Sequence, residues 1–225
     1  MSTVINRGPV HERLQIGLLL ALNSGFVDSY TFQYHGERFA SLQTGNVIQA
    51  GFNVAHGNFS TALTFFWPIL FFAIGAAFNV VMKKIMPAKR LSQQQHSVLV
   101  ELIGIAVVVL FAEQLPNAFF TGFLSFFLAI QLDAFPKIQG LPFMSVMSTG
   151  NIRNVGTNLM NFVYTRDRKF LRDGGLFLVI VLFFFVGAFI SALLVKVMGS
   201  MTLLGSSVIV FVIFMLLFEH KEAQV

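Results

Sequence analysis

Two acidic residues stand inside long apolar stretches and are the first candidates for chemistry. Asp28 lies in the run that begins at Leu14, and Asp133 lies in the run that begins at Phe119. A carboxylate among apolar residues is costly and marks a functional site by default. The pair could bind protons or cations, or gate a pathway from each side. Alternatively, each carboxylate could cap the backbone of the segment that follows it.

A tripeptide occurs twice, as Thr44-Gly45-Asn46 and as Thr149-Gly150-Asn151. Glycine permits close backbone approach, and threonine or asparagine can cap a helix, so short helices are predicted over 47–55 and 152–162. The free N–H groups of such helix starts attract anions and electron-rich solutes. Alternatively, both tripeptides are tight packing turns.

Arg153 extends this candidate site, because the residue 105 positions earlier is the apolar Ile48. Arg153 could neutralise Asp133, bind an anionic group of a solute, or reach the membrane surface. Neutral polar lining, or hydrogen bonds between helices, would come from four amides: Asn53, Asn158, Gln49 and Asn154.

No cofactor and no metal are expected. The chain has no Cys, and its five histidines lack the spacing of metal ligands. Glu101 and Glu113 are assigned to the ends of the fourth apolar stretch, where interfacial water accounts for their charge.

Membrane helices must position these residues. Of the 225 residues, 56% are hydrophobic and 11% are charged, whereas soluble domains carry roughly 25% charged residues. The net charge of +5 reflects basic residues of cytoplasmic loops rather than nucleic-acid binding. The expected partners are the lipid bilayer and a small-molecule or ion solute, with a homo-oligomer left open.

Six stretches approach the roughly 20 apolar residues that a crossing requires. They are Leu14 to Phe32, Ala62 to Met82, Val98 to Ala112, Phe119 to Phe135, Leu176 to Val195 and Leu203 to Phe218. Two further stretches, 39–55 and 143–163, are interrupted by polar residues and glycine. These two are predicted to be re-entrant or broken helical segments.

Basic clusters give the orientation. One contains Lys83, Lys84, Lys89 and Arg90, and the other contains Arg166, Arg168, Lys169 and Arg172. Both clusters and both termini fall on the cytoplasmic side only if the chain crosses six times. The prediction is a single membrane domain over 1–225 with both termini cytoplasmic.

An internal repeat accompanies this topology. A shift of 105 residues superposes the two tripeptides and also aligns Asp28 with Asp133. Repeat one spans about 14–114 and repeat two about 117–218. Three crossings per repeat turn the second repeat upside down. The predicted fold class is therefore an all-α membrane protein of six transmembrane helices and two re-entrant or broken segments, arranged as two inverted-topology repeats.

The segments 23–28 and 39–46, which read Asn-Ser-Gly-Phe-Val-Asp and Phe-Ala-Ser-Leu-Gln-Thr-Gly-Asn, resemble the YoaK family of bacterial integral membrane proteins, a domain of unknown function. The resemblance covers essentially the whole chain. It implies a bacterial plasma-membrane protein of about six spans, and it implies no activity.

The residues favour a transporter or channel for a small solute, with its site at the interface between the repeats. Positive helix ends and Arg153 suit an anionic or zwitterionic solute, while Asp28 and Asp133 suit proton or cation coupling. A non-catalytic scaffold or accessory subunit is the alternative. A lipid-modifying enzyme is disfavoured, because the two acids are predicted in opposite leaflets and no catalytic constellation accompanies them.

Overall fold

The computed structural model describes residues 9–85 and 91–218. Two basic residues used for the topology lie outside these ranges: Lys89 and Arg90. The described ranges contain eight α-helices: α1 Leu14–Tyr34, α2 Gln43–Ala55, α3 Phe59–Ile85, α4 Gln93–Leu110, α5 Asn117–Ala134, α6 Ser148–Thr165, α7 Arg168–Met198 and α8 Leu204–Leu216. A small antiparallel hairpin, β1 Lys137–Ile138 and β2 Leu141–Pro142, separates α5 from α6.

Each of the eight apolar stretches coincides with one helix, so the all-α class is confirmed. The start of α4 differs from the predicted start of the fourth apolar stretch. Helix α4 begins well before Val98, because Ser92 and Gln95 form a capping box. The Ser92 side chain accepts from the Gln95 backbone N–H at 3.2 Å, and Gln95 Oε1 accepts from the Ser92 N–H at 2.8 Å.

Four helical stretches among the described residues are long and apolar enough to cross a membrane: α3, α4, α5, and α7 together with α8. Helix α1 has 21 residues, but buried polar side chains such as Asn23 and Asp28 lower its mean hydropathy. Helix α2 has 13 residues, so it is about 20 Å long and shorter than a hydrocarbon layer of about 30 Å.

The two halves pack in matching pairs. Helix α1 packs on α7, and its counterpart α5 packs on α3, the counterpart of α7. In the same way α2 packs on α3 and α6 on α7, while α1 contacts α8 and α5 contacts α4. Helices α1 and α5 are the most enclosed, whereas α3 and α7 expose many large apolar side chains.

Hydrogen bonds show that α1 and α5 run antiparallel. At the start of α1, the Glu12 carbonyl accepts from the Gln139 N–H, just beyond α5, at 2.8 Å. At the end of α1, His35 Nδ1 lies 3.0 Å from Asn117 Oδ1 at the start of α5. The hairpin between α5 and α6 therefore lies beside the beginning of α1.

Helices α4 and α8 are antiparallel as well. Gln95, near the start of α4, donates from Nε2 to the Leu217 carbonyl after α8 at 3.1 Å. Beyond the end of α4, Glu113 Oε1 accepts from Ser200 Oγ, just before α8, at 3.1 Å. The Ser200 carbonyl also accepts from the Tyr30 hydroxyl. The end of α1 therefore lies beside the end of α4 and the start of α8.

Glycines allow the closest helix contacts. A Cβ atom added to Gly187 of α7 would collide with the Leu22 carbonyl of α1. A Cβ atom added to Gly75 of α3 would collide with the Phe126 carbonyl of α5. Because Gly75 and Gly187 occupy matching positions of the two halves, the same backbone approach is built twice.

Candidate functional site

A cavity of about 740 Å³ lies among α3, α5, α6 and α7. Its walls are largely apolar and include Phe72, Phe143 and Phe177. Six of the predicted site residues line it: Asp133, Gly150, Asn151, Arg153, Asn154 and Asn158. The second tripeptide, the basic side chain and one of the two acids therefore meet at one cavity.

Asp133 is paired with a lysine of α3. Its Oδ2 atom accepts from Lys83 Nζ at 2.8 Å and from Asn79 Nδ2 at 2.5 Å. Lys83 also donates to the Asp133 backbone carbonyl at 3.0 Å. The expectation that Arg153 could neutralise Asp133 is thus not met, because Lys83 takes that role.

Arg153 projects from α6 into the cavity with its guanidinium uncommitted. The side chain is exposed and makes no hydrogen bond or ion pair with the described residues. Since Lys83 and Asp133 compensate one another, Arg153 leaves a net positive charge at the cavity wall. A guanidinium in this setting can bind a carboxylate or phosphate through two parallel hydrogen bonds.

A second cavity of about 350 Å³ contains Asp28. It is built partly from counterparts of residues that line the first cavity: Asp28 matches Asp133, Phe39 matches Met144, Phe184 matches Phe72, and Ala188 matches Ala76. Residues at the start of α6, including Thr149 and Ile152, complete the wall. The start of α6 therefore faces both cavities, with Thr149 on one side and Gly150, Asn151 and Arg153 on the other.

Asp28 is buried and bound to a neighbouring turn. Its side chain is 5% exposed, and Oδ1 accepts from the Ser41 backbone N–H at 2.7 Å. The Ser41 hydroxyl oxygen lies 2.5 Å from Asp28 Oδ2 and 2.9 Å from the Val146 carbonyl oxygen. Asp28 thus binds the backbone just before α2, whereas Asp133 binds side chains of α3.

Both tripeptides lie inside the first turn of a helix, which corrects the predicted starts at 47 and 152. Helix α2 begins at Gln43 and α6 at Ser148, so Thr44 and Thr149 are not the capping residues, and Gly45 and Gly150 do not adopt positive φ. Asparagine instead secures the preceding turn. Asn46 bonds both backbone groups of Phe39, and Asn151 donates to the matching Met144 carbonyl at 3.1 Å.

The first tripeptide lines neither of these two cavities. Thr44, Gly45, Asn46 and Asn53 remain on the α2 side, where Asn53 donates to the Gln49 carbonyl at 2.8 Å. Asn158 makes the matching bond to the Asn154 carbonyl at 2.8 Å. Of the two tripeptides, only the second borders these cavities.

The sequence assignment missed a buried polar cluster, in which Glu101 is the acid. Glu101 is 1% exposed and lies in the middle of α4, so its placement near a water-filled interface was wrong. The cluster comprises Asn23, Ser24, Glu101, Gln131, Ser145 and Ser206. The Ser92–Gln95 capping pair was the available signal, because it starts α4 early enough to bring Glu101 to the middle of the helix.

A family profile described as "Protein of unknown function (DUF1275)" matches residues 16–216. The chain belongs to the DUF1275 family. Searches of the curated proteins and of the solved structures returned no match. The matched range of this DUF1275 chain covers α2 to α8 and all but the first two residues of α1, and it includes both cavities and the buried cluster.

Proposed function

We propose that this DUF1275 protein is a multi-pass bacterial plasma-membrane transporter or channel for a small solute, not an enzyme. The observation that carries the proposal is the pair of cavities on opposite sides of the start of α6, built partly from matching residues of the two halves. Inverted-repeat transporters hold solutes near such interrupted segments.

Six crossings and an inverted repeat are part of this proposal. The helix directions support it. Helix α1 is antiparallel to its counterpart α5, and α4 is antiparallel to its counterpart α8, as an inverted repeat requires. Ser41 and Val146 add support. They are 105 residues apart and in direct contact, as expected for matching positions beside a two-fold axis. Lys83, at the end of α3, contacts Asp133, at the end of α5, as expected if both helices run toward the cytoplasmic side.

The proposed solute has an anionic or zwitterionic head and an apolar body. Arg153 would hold the anionic group, with Asn151 and Asn158 nearby on α6. The Phe72, Phe143 and Phe177 side chains would pack against the body. Asp133 with Lys83 offers a zwitterion a second polar contact at the same wall.

The unequal halves suggest alternating access. In the first half, Ser97 Oγ lies 3.4 Å from Asn79 Oδ1, and Asn79 donates to Asp133 of α5. The matching hydroxyls, Ser191 and Thr202, are buried without a hydrogen-bond partner among the described residues. In the alternate state, we expect Asp28 to leave Ser41 and turn to Ser191, which enlarges its cavity as the other one closes.

Purified protein in liposomes tests this proposal with a panel of carboxylates and zwitterions, each with and without a pH gradient. The Arg153→Gln variant is expected to lose about tenfold or more of the uptake of an anionic solute, because a hydrogen bond to a charged group is removed. Arg168→Gln is the matched control, since Arg168 is exposed and lines neither cavity. Absence of flux for every solute, or equal losses in both variants, would contradict the proposal.

A scaffold or accessory subunit remains the second candidate, and the lipid-modifying enzyme the third. The two cavities favour transport over a dry scaffold interface. The enzyme is disfavoured, because Asp28 and Asp133 line different cavities and bind different partners rather than each other.

A further inference from the structure

Helices α1, α4 and α5 carry one acid each, and these three acids differ in what each one binds. Asp133 has a cation, Lys83, at 2.8 Å. Asp28 has a backbone N–H, that of Ser41, at 2.7 Å. Glu101 has neither among its hydrogen bonds, because Oε1 accepts at 3.1 Å from Nδ2 of the neutral Asn23. Glu101 is therefore the one acid of the three that no cation or backbone bond holds in its ionised form.

The helices and the turn around Glu101 supply no cation to it. Helix α8 and the turn 199–203 contain no titratable residue. On α5 the titratable residue is Asp133, which is bound to Lys83. On α1 they are Asp28, bound to Ser41, and the two tyrosines Tyr30 and Tyr34. An ionised carboxylate in such a place lacks compensation.

Asn23 connects Glu101 to the rest of the cluster. Its Nδ2 atom donates to Glu101 Oε1 and also to Gln131 Oε1, each at 3.1 Å. Its Oδ1 atom accepts from Ser206 Oγ at 2.6 Å. Ser206 is the residue that matches Glu101 after the 105-residue shift, so the amide of Asn23 lies between matching positions of the two halves. A change in the protonation of Glu101 would therefore alter hydrogen bonds that connect α1, α4, α5 and α8.

The cluster also reaches the partition between the two cavities. Gln131 Nε2 donates to Ser145 Oγ at 3.2 Å and to Ser24 Oγ at 3.1 Å. The neighbours of Ser145 in the chain line different cavities, Met144 the larger one and Val146 the smaller one. Ser145 therefore joins the cluster at the segment that separates the two cavities.

We infer that Glu101 is the proton-binding residue of this protein, and that the cluster around Asn23 couples its protonation to which cavity is open. The inference rests on the proposed transport function and assigns its coupling residue. The proton comes from water on one side and binds the Glu101 carboxylate. It returns to water on the other side after the cavities exchange. A proton fits this place because neither cavity includes Glu101, so the packed cluster offers a larger ion no space.

Infrared difference spectroscopy of the purified full-length protein tests the inference without a known solute. A pH step is expected to give a carboxylic-acid C=O band that disappears in Glu101→Gln and persists in the matched controls Asp28→Asn and Asp133→Asn. Glutamine preserves the shape and the acceptor of the Asn23 bond, so the fold should be retained. A band that persists in Glu101→Gln would overturn the inference.

A second variant keeps the inference testable if Glu101→Gln does not fold. Asn23→Ala leaves the acid in place and removes its donor, so the band should remain and shift in frequency. An unshifted band would assign the signal to another acid and overturn the inference. Failure of transport itself is a separate outcome, because it appears as absent flux in the wild type while the infrared signal of Glu101 is present.

Discussion

Asp28 and Asp133 occupy matching positions on α1 and α5, yet one is 5% exposed and the other has a 44% exposed side chain. The difference arises from their neighbours. Ser41, which bonds Asp28, is matched by Val146, which has no hydroxyl to offer. Lys83, which bonds Asp133, is matched by the apolar Val195.

Two helices at matching positions therefore hold their acids in different environments, one buried against a backbone N–H and one paired with a lysine. The helix pairs, the close glycine contacts and the asparagine bonds to the preceding turn are shared by both halves. The residues around the acids are not shared. Each half therefore keeps the same framework, and a few side chains decide which acid faces a large cavity and which is enclosed.

The largest expected effect on folding comes from the close glycine contacts that both halves contain. Gly75→Val and Gly187→Val should each abolish folding, because the new Cβ atom meets the backbone of the facing helix. Size-exclusion chromatography of the purified variants is the measurement. Gly156→Ala is the matched control, since its Cβ atom would meet nothing within 4 Å. A well-folded Gly187→Val protein would show that the α1–α7 approach is not required.

The next effect separates the two acids. Asp28→Ala should lower the free energy of unfolding by about 1–3 kcal/mol, because the Ser41 N–H is left buried without an acceptor. Asp133→Ala should cost less than about 1 kcal/mol, because the Lys83 pair is partly exposed. Thermal unfolding followed by the fluorescence of the single Trp compares them. Equal losses would mean that the two environments are equivalent in solution.

A smaller effect comes from His35, which follows α1 and has Gly140 as its counterpart. Burial lowers the pKa of His35 to about 4, with the charge of Arg38 acting in the same direction and the bond to Asn117 opposing it. The unfolded chain has a histidine pKa of about 6.5 and binds the proton first. Stability from neutral His35 is therefore complete above about pH 6.5 and is lost as the pH falls toward 4.

The midpoint of thermal unfolding, measured at several pH values, tests this dependence on His35. His35→Gln keeps polar atoms near Asn117 and Tyr30 but does not titrate, so its profile between pH 4 and 6.5 should be flatter than that of the wild type. Identical profiles would assign the acid sensitivity to other groups.

The smallest expected effect on stability is that of Arg153→Gln. Its side chain is exposed and has no bond to lose among the described residues, so the free energy of unfolding should change by less than about 0.5 kcal/mol. Thermal unfolding of this variant beside the wild type provides the measurement. A large loss of stability would show that Arg153 supports the fold rather than the solute.

Local pattern was enough to predict where the helices lie, whereas the inverted repeat and the six crossings stay predictions. Apolar runs and the 105-residue spacing are properties of neighbouring and repeated residues. The Asp133–Lys83 pair could not be predicted from local pattern, because it joins residues 50 positions apart and depends on how α3 packs against α5. The Glu101 cluster was missed for a related reason, since it gathers single polar residues from α1, α4, α5, α8 and the loop before α6.

The glycine contacts have a mechanical consequence. Where two backbones touch without intervening side chains, no rotamer change can loosen the contact, so α1 with α7 and α3 with α5 should each move as one rigid body. Contact between α1 and α5 themselves is sparse, and the Asn23–Gln131 bond is among the links across it. One helix pair could then rotate against the other. The pivot of this rotation would consist of hydrogen-bonded amides and hydroxyls rather than packed apolar side chains.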